Sequence, residues 1–168
     1  MVIIPLYAAE VLNQGVREYG LLMSASGVGS LIGALLAASK AMGNPKIQIL
    51  FGSAFIASML LVLLNFIHSL LLAFGMLTII GFFTVIFMNT ANLTLQLNSS
   101  DEFRGRVMSV YSFAFAGATP IGNIFAGSIT EKLGSGMGFL ICGVLSGFFI
   151  VLTAIIFWLK GRVQKTAI

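Results

Sequence analysis

The stretch that decides the reading runs from Asp101 to Gly127, DEFRGRVMSVYSFAFAGATPIGNIFAG. Its first six residues carry four charges, Asp101, Glu102, Arg104 and Arg106, and no charge follows until Glu131. The 24 uncharged residues from Val107 to Thr130 are enough to cross a bilayer as a helix. A charged turn therefore feeds directly into a span that contains glycine and proline. Ser99, with Glu102 three residues on, has the form of a capping box, which places Asp101 and Glu102 in the first turn. Glu102 and Arg106, four apart, are spaced to pair.

The rest of the chain repeats the theme of long uncharged runs and short, mostly basic turns. Of 168 residues, 58% are hydrophobic and only 8% charged, with a mean hydropathy of +1.06. A soluble domain carries roughly 25% charge, so lipid is the solvent for most of this surface. Helices or a closed barrel are then the choices, because the backbone must satisfy itself. The apolar runs are continuous, as in Ile47 to Leu64, and do not alternate as barrel strands do. The expected fold class is all-α, a polytopic membrane helix bundle. The scattered basic residues form no dense face for nucleic acid. Cys142 is the only cysteine, so neither a disulfide nor a metal cluster is implied, and no cofactor is expected.

The chain reads as a single bundle over 1–168, with approximate helices at 2–12, 19–39, 47–66, 70–98, 107–132 and 136–158. The first is too short to span and looks like the last half of a spanning helix; five full spans follow. Asn13-Gln14-Gly15 and the Lys40–Lys46 stretch KAMGNPK are turns. Gly29 and Gly33 form a GxxxG, extended by Ser26 and Ser30, and Gly143 and Gly147 form another. Such faces either pack closely against a neighbour or slide during transport. Asn89, Asn92 and Gln96 share one face of the fourth helix, which must meet protein or a wet cavity. Pro120 frees the carbonyl of Ala116, and Gly117 and Gly122 flank this helix kink. Gly134 is the expected stop of that helix.

Numbering the turns alternately puts Lys40, Lys46, Arg104, Arg106, Lys160, Arg162 and Lys165 on one side, and Arg17 and Lys132 on the other. The first side is then cytoplasmic, the C-terminus with it. His68 and Glu10 lie near predicted edges, either as solvated interfacial groups or in a proton-linked role. Arg104 and Arg106 are either gate residues or positive-inside anchors, and Gly105 lets the turn come close to a neighbouring helix.

IGALLAA (Ile32–Ala38) and IGNIFAG (Ile121–Gly127) match in the second and fifth elements, as an inverted three-plus-three repeat would place them. The stretch NTANLTLQLNSSDEFRGRVMSVYSFAFAGATPIGNIFAGSITEKLG resembles the tenth and eleventh helices of major facilitator superfamily transporters. Asn89-Thr90, Gln96, Asp101, Arg104-Gly105-Arg106 and Pro120 with Gly122 stand as in the bacterial drug- and siderophore-exporter-like permeases. PLYAAEVL followed by YGLLMSASGVGSLIGALLA resembles the seventh-to-eighth helix segment. The Lys40–Lys46 turn departs from the family's charged loop, having lysines and no acid.

The resemblance implies the C-terminal half of a facilitator-type fold: the end of helix seven plus helices eight to twelve. It implies alternating access, a location in the bacterial cytoplasmic (inner) membrane, and a partner in the missing N-terminal six-helix half or a second copy. The substrate-cavity candidates are Asn89, Asn92, Thr119, Asn123, Ser26 and Tyr7. Asp101, Arg104, Gly105 and Arg106 form the gating turn. No Ser-His-Asp set, acid pair or phosphate loop marks an enzyme. The expected function is efflux of amphipathic or hydrophobic small molecules as part of a longer transporter. The alternatives are a small homodimeric transporter or a non-transporting membrane interaction subunit.

Overall fold

At the charged turn, Asn98 closes one helix by giving both its N–H (3.1 Å) and its side-chain amide (2.8 Å) to the Thr94 carbonyl. Ser100, extended at ψ 152°, opens the next, and its carbonyl takes the N–H groups of Phe103 (3.0 Å) and Arg104 (2.9 Å). The capping residue is thus Ser100 and not Ser99, whose hydroxyl turns back to Leu95 O at 2.6 Å. The ion pair also differs from expectation. Arg104 Nη2 meets Asp101 Oδ1 at 2.8 Å, and Arg106 lies over the Phe103 ring at 5.5 Å. A three-residue step brings Arg104 to Asp101 on one face, and the aromatic face of Phe103 holds Arg106 beside it.

The computed structural model describes residues 3–10, 16–40 and 47–166. They form six helices and no strand: α1 (Ile3–Glu10), α2 (Val16–Lys40), α3 (Ile47–Leu64), α4 (Leu70–Leu97), α5 (Asp101–Leu133) and α6 (Ser135–Thr166). The turns at 13–15 and 41–46 and the side chains of Glu10, Lys40, Lys160, Arg162 and Lys165 lie outside the described residues. Gly134, at φ 84°, ends α5 and gives its N–H to Thr130 O at 2.9 Å. Its own carbonyl accepts from Gly138 at 3.1 Å, starting α6. Only glycine takes that φ without strain.

Small residues set the two tight crossings. On α2, a Cβ added at Gly29 would enter the Thr78 backbone carbonyl of α4, and one at Gly33 would stand 2.8 Å from Phe82 O. Gly81 of α4 faces the Ser26 carbonyl in the same way. Ser30 Oγ donates to Ser26 O at 2.8 Å, with a longer contact to Gly81 O at 3.4 Å. On α6, Gly143 lies against Val62 and Ser58 of α3, and Gly147 against Ser58. Both GxxxG faces are therefore packing faces within the chain, as close backbone approach in lipid requires.

The buried core gathers at one end, where α1 stops, α3 ends and α4 and α6 begin. Ile4, Tyr7, Leu22, Leu64, Ala73, Leu77 and Phe139 belong to it. Tyr7 is fully buried. Its hydroxyl donates to Ile67 O at 2.5 Å and Leu64 O at 3.3 Å, and its ring meets Phe139 edge-on at 5.3 Å. The opposite end is open. No residue of α4 beyond Gly81, and none of α5 before Thr130, is buried. From Ser109 to Gly122 every α5 residue but Tyr111 is exposed, so α5 is held at its ends and bare between them.

Among the described residues, four helices are long and apolar enough to cross a membrane: Arg17–Ser39, Ile47–Leu64, Leu70–Leu97 and Ser135–Leu159. α5, the fifth long helix, falls below this apolar content. α5, at 33 residues or about 50 Å, has the length, but its glycine, serine, threonine and asparagine dilute it. α1, at 8 described residues or about 12 Å, is shorter than the hydrocarbon core of a bilayer.

Candidate functional site

The polar face of α4 points toward the open end. Gln96 Nε2 donates to Asn92 Oδ1, so these two amides satisfy each other, while Asn89 is exposed. Thr94 turns its hydroxyl to Thr90 O at 2.6 Å. Arg104 Nε reaches back from α5 to Gln96 O at 3.2 Å. One guanidinium thus binds a terminal carbonyl of α4 and a first-turn carboxylate of α5, both favourable to a cation by the helix dipole and by charge. Asp101, Arg104, Gly105 and Arg106, the turn expected to gate, are all exposed.

On α5 the hydroxyls of Ser109 and Thr119 are spent on the carbonyls of Gly105 (2.9 Å) and Phe115 (2.8 Å). Such back-bonding lowers the cost of a hydroxyl at membrane depth. Asn123 is half-buried, and its amide has no hydrogen-bond partner among the described residues. Pro120 lies on an exposed run, and added Cβ atoms at Gly105, Gly117 and Gly122 would meet nothing within 4 Å. These three glycines, unlike Gly29 and Gly33, have no close neighbour within the described chain.

The six cavity candidates do not form one site. Asn89 and Asn92 stand 8 and 5 residues before the end of α4, about 12 and 8 Å from the turn. Thr119 and Asn123 stand 18 and 22 residues beyond Asp101, about 27 and 33 Å along α5. Ser26 is buried in the α2–α4 crossing, 3% exposed, and Tyr7 is committed to its two carbonyls. Level with Asn89 are instead Ser109 and Ser112, about 12 and 17 Å along α5. Neither serine is among the cavity candidates named from the sequence, although their spacing with Ala116 and Thr119 is a visible signal. Among the described residues no group of His, Cys, Asp and Glu could hold a metal ion. Charges stand at helix ends, and the open faces of α4 and α5 offer amides and hydroxyls against apolar walls.

A family model, that of the Major Facilitator Superfamily, matches residues 1–167. The chain belongs to the Major Facilitator Superfamily. No curated protein and no solved structure matches it. Membership of the superfamily accounts for the all-α membrane bundle and makes transport across a bilayer the general activity. Its members are in general transporters rather than enzymes.

Proposed function

We propose that the chain moves amphipathic or hydrophobic small molecules outward by alternating access, as one six-helix part of a two-bundle transporter of the drug- and siderophore-exporter-like type. The observation that carries this reading is the asymmetry of the bundle. It is tied at one end around Tyr7 and open at the other along α4 and α5. By the distribution of basic residues the open end is cytoplasmic, the C-terminus lies on the same side, and the membrane is the bacterial cytoplasmic membrane. A molecule entering there passes the charged turn and then meets Asn89, Asn92, Ser109 and Ser112, with no further charge along α5 until Glu131. That suits a ligand with apolar bulk and a few hydrogen-bonding groups. The second bundle, as a missing N-terminal six-helix half or a second copy, supplies the far wall.

Efflux of a fluorescent amphipathic dye from cells expressing the complete transporter tests this. Asn89→Leu with Asn92→Leu removes the polar groups near the entrance. Dye export falls while the amount of protein in the membrane holds. Unchanged export at equal expression refutes the assignment of this entrance.

A further inference from the structure

Gln96 is held both by its own helix and by the next one. Its main-chain carbonyl accepts from Arg104 Nε at 3.2 Å, and the same guanidinium meets Asp101 Oδ1 at 2.8 Å. Its side-chain Nε2 donates to Asn92 Oδ1, one turn deeper, about 6 Å along α4. The adjoining polar side chains do not compete for this pair, because Thr94, Asn98 and Ser99 each give theirs to a main-chain carbonyl. An amide has two unlike poles, an acceptor oxygen and a donor NH2. With Oδ1 taken by Gln96, the Asn92 Nδ2 has no partner among the described residues. Asn92 is half-buried, so these N–H groups call for an acceptor. Asn89 is exposed and without a partner among the described residues, so it turns either way and selects neither pole.

We propose that Gln96 is a positioning residue for the transport site: by holding Asn92 Oδ1 it presents the Asn92 N–H groups to the ligand, and so selects amphipathic molecules whose leading polar atom is a hydrogen-bond acceptor, such as an ether, ester or tertiary-amide oxygen. The inference rests on the reading of Asn89 and Asn92 as the entrance of a transporter, and adds the polarity of the ligand which that entrance takes. Gln96 itself acts through Asn92. Arg104 stands one step further back, fixing the main chain from which the Gln96 side chain reaches. Were the Asn92 amide turned about, with its oxygen toward the ligand, an acceptor-only ligand would leave that oxygen unpaired, a loss of about fivefold in recognition.

Export of two matched neutral dyes by the complete transporter tests this, one ending in a phenol and the other in its methyl ether. The phenol donates as well as accepts; the ether only accepts. Gln96→Glu makes the position an acceptor, which draws the Asn92 N–H groups and leaves Oδ1 toward the ligand. The ether-to-phenol export ratio should then fall about fivefold. Gln96→Lys, which only donates, should keep the wild-type ratio whatever the rate, so a change of packing or charge at this position is told apart from a change of pole. Asn92→Asp keeps Gln96 as the donor but offers the ligand a second oxygen, and should lower the ratio as Gln96→Glu does. A ratio unmoved by Gln96→Glu or by Asn92→Asp, or moved equally by Gln96→Lys, overturns the proposal. The hydrogen bond is read without transport, by side-chain amide NMR of the purified full chain. Asn92→Leu should shift the Gln96 Nε2 protons, and a bonded Asn92 Nδ2 proton that is lost in Gln96→Leu overturns the proposal whatever is exported. With the bond as stated, export of neither dye overturns the transport reading and this inference with it, whereas export at an unmoved ratio overturns the ligand assignment alone.

Discussion

Replacing Gly29 with alanine adds one methyl at the closest backbone contact between α2 and α4. That methyl would enter the Thr78 carbonyl, a backbone atom with no rotamer through which to yield. The helices must separate. Overpacking of this kind costs about 1–3 kcal/mol, against a helix-propensity gain of up to about 1 kcal/mol for Gly to Ala. Gly27, two residues away on the exposed side, has nothing within 4 Å of an added Cβ. There only the propensity gain remains. The propensity gain is common to both, so the two single-methyl variants should differ by about 1–3 kcal/mol, or about 6 °C in melting temperature for a chain of this size. Thermal unfolding in one detergent, with the variants side by side, measures the gap. If Gly29→Ala melts with Gly27→Ala, the α2–α4 crossing is not as close as the backbone indicates.

Gly143→Ala should fall between these two, because its obstacles, Val62 Cγ2 at 2.8 Å and the backbone Ser58 O and Val62 N at 3.0 Å, stand farther off than the Thr78 carbonyl does from Gly29. Tyr7→Phe keeps the edge-on contact with Phe139 and loses the hydroxyl bonds, at a cost of about 1 kcal/mol. Tyr7→Ala removes the ring as well and should cost about 3–5 kcal/mol in the same assay. Arg104→Ala should cost less than about 1 kcal/mol, since its pair with Asp101 is exposed, and the loss should shrink further in high salt.

The sequence made the helical class and most of the spans legible because continuous uncharged runs leave the backbone no other option in lipid. Gly29 and Gly33 could be read as a packing face from spacing alone. Their partner, the Thr78–Phe82 stretch of α4, could not, since no local signal says which helix meets which. Tyr7 was placed with the cavity because a polar tip on a presumed lining helix invites it. What put it in the core was a long-range match, the carbonyls left over where α3 ends near Leu64 and Ile67. The cap position falls on Ser100 through its extended backbone and not through its hydroxyl, while the Ser99 hydroxyl goes back to Leu95 O, and propensity does not separate the two serines. Asn92 and Gln96 were read correctly as sharing a face, but their mutual hydrogen bond leaves Asn89 as the more available amide.

The central claim is that the bundle is closed around Tyr7 and open to the cytoplasm along α4. Reaction of single cysteines with a membrane-impermeant maleimide, in vesicles of both orientations, tests it most directly. With Cys142→Ser as background, Asn89→Cys and Asn92→Cys should label from the cytoplasmic face alone, and Ala25→Cys, in the buried core, from neither face. Labelling of Asn89→Cys and Asn92→Cys only from the opposite face, or from neither, would contradict the account.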